Sequence, residues 1–170
     1  MGFTPLDGLV MATRSGAVDP GLLVWLLTEA RVSVDELGDG LEHLAGLLGL
    51  SGTSGDMREV VDRRDRGDEA CRLAFDVYVH RLVGDVARMA AALGGMDAIT
   101  FTGGVGEHSA PLRSAVCDRL GWLGIRLADG LIGGTANDRV LSFLPSDVGV
   151  CVVTSREDLE MSRQTRVLLG

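Results

Sequence analysis

Glycines and carboxylates gathered between a β-branched run and a helical stretch are the first residues here that could do chemistry. Thr102-Gly103-Gly104-Val105-Gly106-Glu107-His108 offers backbone N–H groups that larger side chains would shield, next to a helix start that favours negative charge. Such a segment suits a phosphate or a sugar, and it equally suits a tight strand-to-helix turn. It meets the dinucleotide fingerprint G-x-G-x-x-G only in part, because Ser109 follows Gly104 and Gly106, and the acidic ribose partner would have to be the remote Asp129. Arg14 stands among small residues in Ala12-Thr13-Arg14-Ser15-Gly16, where a planar guanidinium can meet phosphate charge or simply lie in solvent. Asp56 and Arg58 flank Met57 after a second glycine-rich stretch, 49–55, and read as a helix cap with its neighbour or as ligand contacts. Glu157 falls in the first turn of the last helical stretch, where the dipole favours a carboxylate and an oxygen ligand could serve a cation.

Composition narrows the chemistry. The chain has 170 residues, 46% of them hydrophobic, enough for one domain with a core. Its 24 acidic and 16 basic residues give a net charge of -8, and every basic residue is arginine. With no lysine, the P-loop lysine, the strand lysine of protein kinases and Schiff-base catalysis are excluded. The acidic balance argues against nucleic-acid binding, since phosphate neutralisation needs a basic face. No apolar run approaches the ~20 residues of a membrane span, and Met1 to Gly8 lack the pattern of a leader, so a soluble cytoplasmic protein is expected. Cys71, Cys117 and Cys151 read as reduced core residues, and His43, His80 and His108 show no zinc spacing.

The elements that must position these residues follow from periodicity. Asp19-Pro20 opens a helix to about Ala30 that is expected to bury Leu22, Val24, Trp25 and Leu26. Ser33 and Glu36 form a capping box for a looser helix over 33–48, and Asp56 caps another through Val60 and Val61. The stripe Cys71, Phe75, Tyr78, Leu82, Val86, Met89, Leu93 predicts a long amphipathic helix ended by Gly94-Gly95, with 62–70 as a solvated face. Residues 97–102 and 149–154 read as buried strands, 124–128 and 139–144 as weaker ones, with a helix over 110–120 between them. Ser155 and Asp158 are expected to cap a final helix to about Leu168. The order is α/β, with two strands that can pair in parallel and deliver loops to one carboxyl edge.

Four segments together resemble the second half of acetate kinases, in order and in spacing: 13–21 (TRSGAVDPG), 46–59 (GLLGLSGTSGDMRE), 99–113 (ITFTGGVGEHSAPLR) and 154–165 (TSREDLEMSRQT). The resemblance implies part of a ribonuclease-H-like, actin-like ATPase domain with several packed helices. It implies ATP or ADP and Mg²⁺, acetate or acetyl phosphate, and a homodimer. On it Arg14 faces the transferring phosphoryl group. Asp56, Met57 and Arg58 form the adenosine-side segment, Gly103, Gly104, Val105, Gly106, Glu107 and His108 the second nucleotide loop, and Glu157 the magnesium-associated carboxylate. Ala17, His108, Thr154 and Arg156 depart from the family's usual Asp, Asn, Pro and Asn. Family length further implies that the first domain and the opening strands of the second lie outside these residues, which leaves an exposed sheet edge and an isolated chain without activity. A non-catalytic module of the same fold, for nucleotide binding or dimerisation, is the alternative.

Overall fold

Asp19 is extended and accepts the Gly21 N–H at 2.6 Å, and with Pro20 behind it α1 runs over Pro20–Thr28. The structure, a computed structural model, describes residues 2–128, 138–142 and 146–170. These form two compact units that divide between Gly95 and Met96. Asp129 and part of the candidate strand 139–144 lie outside the described residues.

In the first unit, α2 (Val34–Asp39) carries the expected capping box: Glu36 N–H donates to Ser33 Oγ at 3.2 Å, and Ser33 N–H to Glu36 Oε2 at 2.9 Å. The single helix expected over 33–48 is broken into α2, a π-helical turn over Gly40–Leu44, and α3 (Gly46–Ser51), which also takes in residues read as loop. Gly46 explains the break. Its φ is +64°, and a Cβ there would lie 2.4 Å from the Met11 carbonyl. The chain must pass close because Leu47 and Leu48 donate their N–H groups to Met11 and Ala12, each at 2.9 Å.

Asp56 caps α4 (Met57–Asp65) and Asp68 caps α5 (Glu69–Leu93), whose Gly94 closes it in the left-handed region. Helix α5 packs on α3 and α4, and Leu47, Met57, Val60, Cys71, Ala74, Phe75 and Val79 form the core. The Arg64 guanidinium stacks 4.2 Å above the Phe75 ring. Two expectations fail here. The stripe on α5 fades past Val79, leaving Met89 and Leu93 exposed, and α1 buries no residue: Trp25 is 53% exposed and Val24 60%. Helix α1 is apolar on every face, and among the described residues of its unit it packs chiefly on α2, so most of that surface stays exposed.

In the second unit, β1 (Ala98–Phe101), β2 (Arg139–Val140) and β3 (Gly149–Val152) form a sheet of order β1-β3-β2. Strands β1 and β3 pair in parallel, with Phe101 opposite Val152, while β2 runs antiparallel to β3. Val150 and Val152 are buried on central β3. On β1 only Phe101 is buried, which corrects the reading of 97–102 as a buried strand: β1 stands at an edge of the described sheet. Residues 124–128 contribute only the isolated bridges of Ile125 with Val148 and Leu127 with Ser142.

The glycine segment is helical, not loop, and forms α6 (Gly103–His108). Ser109 then caps α7 (Ala110–Arg119), whose buried face is Leu112, Arg113, Val116 and Cys117. Burial pushes the Cys117 thiol up to about 12, so it is inert at neutral pH. Helix α8 (Glu157–Leu169) starts without the expected Ser155–Asp158 box; Arg156 occupies the cap position and makes no side-chain cap bond. Among the described residues no helix is long and apolar enough to cross a membrane.

Candidate functional site

Arg14 sits in the first unit on a loop fixed at three points. Met11 N–H donates to the Arg14 carbonyl at 3.1 Å, Thr13 Oγ1 to the Glu42 carbonyl at 2.9 Å, and Ser15 N–H to the Leu41 carbonyl at 3.0 Å. Its guanidinium is half-exposed and 3.5 Å from Glu42 Oε1. Backbone anchoring with a lightly held side chain lets the fork turn to another anion without moving the loop.

Asp56 and Arg58 are bound to each other. The Arg58 backbone N–H donates to Asp56 Oδ1 at 2.9 Å and its Nε to the same oxygen at 3.0 Å. The Arg58 side-chain bonds, then its backbone N–H, hold the Asp56 carboxyl at about 2. The folded value lies below the unfolded one, so the cap's contribution to α4 is present in full above the ordinary aspartate range and is lost progressively as pH falls from that range through about 2. Met57 is buried in the core, which leaves its backbone as the part a ligand could reach.

In the second unit the glycine segment and the start of α8 leave adjacent parallel strands. The Val153 N–H donates to the Phe101 carbonyl at 3.0 Å, continuing the ladder to the carboxyl end. One side chain then joins the two segments: Glu107 Oε1 accepts the Gly103 N–H at 2.8 Å and the Ser155 N–H at 2.7 Å. Gly103 reaches this arrangement with φ +72°, a value that favours glycine. Behind it, Arg113 is 1% exposed and its Nη1 donates to the Gly106 and Glu107 carbonyls, each at 2.8 Å. Arg139 Nη2 adds a longer bond, 3.4 Å, to the Glu107 carbonyl. Burial first, then the Arg139 charge, lowers the Arg113 pKa from the usual arginine value.

Asp138 holds the flanking residues of the α8 approach. Its Oδ1 accepts the Thr154 N–H at 2.9 Å and its Oδ2 pairs with Arg156 Nη2 at 2.8 Å. The Thr154 N–H first, then Arg156, lowers its carboxyl pKa. Glu157 follows immediately, exposed, at the first position of a helix whose first turn also carries Asp158 and Glu160. No group of three or more His, Cys, Asp or Glu side chains able to hold a metal occurs among the described residues.

The structure therefore brings together Gly103, Gly104, Val105, Gly106, Glu107, His108 and the approach to Glu157 in one unit, and places Arg14 and Asp56–Arg58 in the other. Arg113, Arg139 and Asp138 are the residues that sequence reading passed over. A signal existed for the first: positions 113, 116, 117 and 120 make one helical stripe, and an arginine on an otherwise apolar stripe is a buried charge with an assigned task.

A parallel strand pair releasing a glycine-rich helix and an acidic helix from adjacent carboxyl ends defines an α/β protein. The chain belongs to the acetokinase family, whose model matches residues 1–163. It is 43% identical over 164 residues to the acetate kinase of Gloeobacter violaceus, covering 96% of this chain and 40% of that protein. Against the acetate kinase of Leifsonia xyli it is 47% identical over 165 residues, 96% of this chain and 41% of the relative. The crystal structure of Porphyromonas gingivalis acetate kinase matches with a TM-score of 0.91 at 36% identity, over 100% of this chain and 43% of that one. A propionate kinase from Francisella tularensis matches at 0.85 and 34%, over 94% and 40%. The resemblance carried by the four motifs is thus borne out for family and α/β fold. The chain spans about two fifths of the length of the curated relatives it matches.

Proposed function

We propose that residues 1–170 are the C-terminal part of the second, nucleotide-binding domain of an acetate kinase, which transfers the γ-phosphoryl group of ATP reversibly to acetate to give acetyl phosphate and ADP. The observation that carries this is the pairing of β1 with β3, because it sets the glycine segment and Glu157 at one carboxyl edge, as phosphoryl transfer by positioning requires. The N–H groups at the start of α6, from Gly104 to Gly106, meet nucleotide oxygens, Asp56 to Arg58 meet the adenosine side, and Arg14 meets charge on the transferring group. The chain has no lysine for these tasks.

An exposed carboxylate at a helix start fits Mg²⁺, which keeps several waters and takes one or two carboxylates plus phosphate oxygens, better than it fits a metal that needs a full protein cage. Glu157 would hold it, and the bound ion would supply neutralisation of phosphate charge. The protein's own part is to aim Glu157, and the bonds of Asp138 and Glu107 to residues 154–156 do that.

The test is complementation. Residues 1–170 alone are expected to make no acetyl phosphate above background and to bind ATP weakly. Supplied with the N-terminal portion of the Gloeobacter violaceus relative that this chain does not cover, they are expected to turn over. Turnover by the isolated chain overturns the division of labour, and failure of the complemented pair that co-purifies favours a non-catalytic module.

The same proposal includes a cytoplasmic homodimer, for which the apolar surface of α1 is the contact, with Leu22, Val24 and Trp25 all about half exposed or more. Trp25→Glu is expected to convert a dimer to a monomer in sedimentation velocity. An unchanged mass moves the contact elsewhere.

A further inference from the structure

The family motif places Glu107 among residues that meet a nucleotide, but its side chain is already committed within the protein. We infer that Glu107 is a positioning residue that locks the start of the glycine helix to the start of the acidic helix, and that it does not itself touch the nucleotide. One oxygen, Oε1, accepts two N–H groups 52 residues apart in sequence, Gly103 at 2.8 Å and Ser155 at 2.7 Å. A carboxylate accepting two backbone N–H groups makes bonds of the stronger, charge-assisted kind. The same residue is held from behind, since Arg113 and Arg139 both donate to its backbone carbonyl.

Glu107 is therefore fixed at its backbone and spends its side chain on a bridge between β1–α6 and β3–α8. The bridge does what neither segment does alone. Thr102, at the cap position of α6, makes no side-chain cap bond, and neither does Arg156 at that of α8. Without Glu107 the first N–H of α6 and the Ser155 N–H lose their common acceptor. The distance between the glycine segment and Glu157 is then no longer set by a side chain that contacts both. What is positioned rests on the nucleotide and Mg²⁺ reading above; that the two segments are locked does not.

Two substitutions separate locking from ligand contact. Glu107→Gln keeps an Oε1 that can accept both N–H groups, and its amide NH₂ replaces an Oε2 that makes no hydrogen bond or ion pair to the described residues. Glu107→Ala removes the acceptor. In amide hydrogen exchange on the whole chain, Glu107→Ala is expected to speed Gly103 and Ser155 together by about tenfold or more, and Glu107→Gln to stay within about threefold of wild type. The Val116 amide, on the buried face of α7 in the same unit, serves as the control for intact folding.

ADP titrations followed by NMR, with Mg²⁺ and with chelator, supply the second readout. Loss of the lock is expected to collapse the Mg²⁺-dependent gain in affinity in Glu107→Ala and to preserve it in Glu107→Gln. Exchange of either amide unchanged in Glu107→Ala overturns the inference, as does a Glu107→Gln variant that behaves like alanine in either readout. A wild-type chain that shows the exchange pattern but no ADP binding removes the nucleotide reading and leaves the lock standing.

Discussion

Arg113→Ala is expected to lower the stability of the second unit by about 3–5 kcal/mol, the range for breaking a buried, hydrogen-bonded charged group. The side chain is 1% exposed and gives two 2.8 Å bonds to consecutive carbonyls, Gly106 and Glu107, at the end of α6. Those carbonyls are among the last of a short helix, which have no intrahelical partner and need one from elsewhere. Alanine leaves them dry and opens a cavity where the stem packed beside Leu112, Val116 and Cys117. Arg113→Met keeps most of the volume and loses the donors, so the difference between the two variants divides packing from hydrogen bonding. Urea unfolding followed by Trp122 fluorescence in a Trp25→Phe background reads the second unit alone, because Trp122 belongs to it and Trp25 does not. A loss below about 1 kcal/mol for alanine would show that the carbonyls find water, in the manner of an exposed helix end.

Most helices were legible in the chain because their signals are local. Asp19-Pro20, the Ser33–Glu36 box, Asp56 and the terminal Gly94 all act within a few residues of themselves, and all appear where the spacing puts them. The parallel pairing of 97–102 with 149–154 was legible from two β-branched runs separated by a helix. What was not legible is non-local. Gly46 breaks a periodic helix because the chain at Met11 comes within 2.4 Å of where a Cβ would stand, and nothing in residues 33–48 announces that neighbour. The burial of α1 and of the far end of α5 was inferred from apolar content alone, yet burial needs a partner surface as well as an apolar face.

At the site, Glu107 and Ser155 looked like independent local features, one a loop residue and the other a cap. Their shared hydrogen bond, across 48 residues, removes the expected box from α8 and creates the bridge instead. The four motifs located the segments because spacing between them is a property of the family; which side chain within each faces a ligand is a property of packing.

The largest effect is expected at Arg14. In the complemented enzyme, Arg14→Ala should lower turnover by about a thousandfold or more, the range for an arginine that meets charge on a transferring phosphoryl group, with a much smaller change in the KM for ATP. The asymmetry follows from where the charge develops: an interaction made mainly in the transition state lowers kcat, whereas a ground-state contact raises KM. Arg14→Lys is expected to recover little, since an ammonium cannot present the planar fork that serves two oxygens at once. Glu42→Gln tests how firmly the guanidinium is held before substrate arrives. The pair is 3.5 Å long and half-exposed on both sides, so it contributes little to stability, and its loss should change turnover by no more than a few-fold. The loop itself stays in place in all three variants, because its anchors are the Arg14 carbonyl, the Thr13 hydroxyl and the Ser15 N–H, none of which the substitutions touch. Steady-state kinetics that show Arg14→Ala within tenfold of wild type, or affected only in KM, would place Arg14 in ground-state binding and leave the transition-state charge to other residues of the complete enzyme.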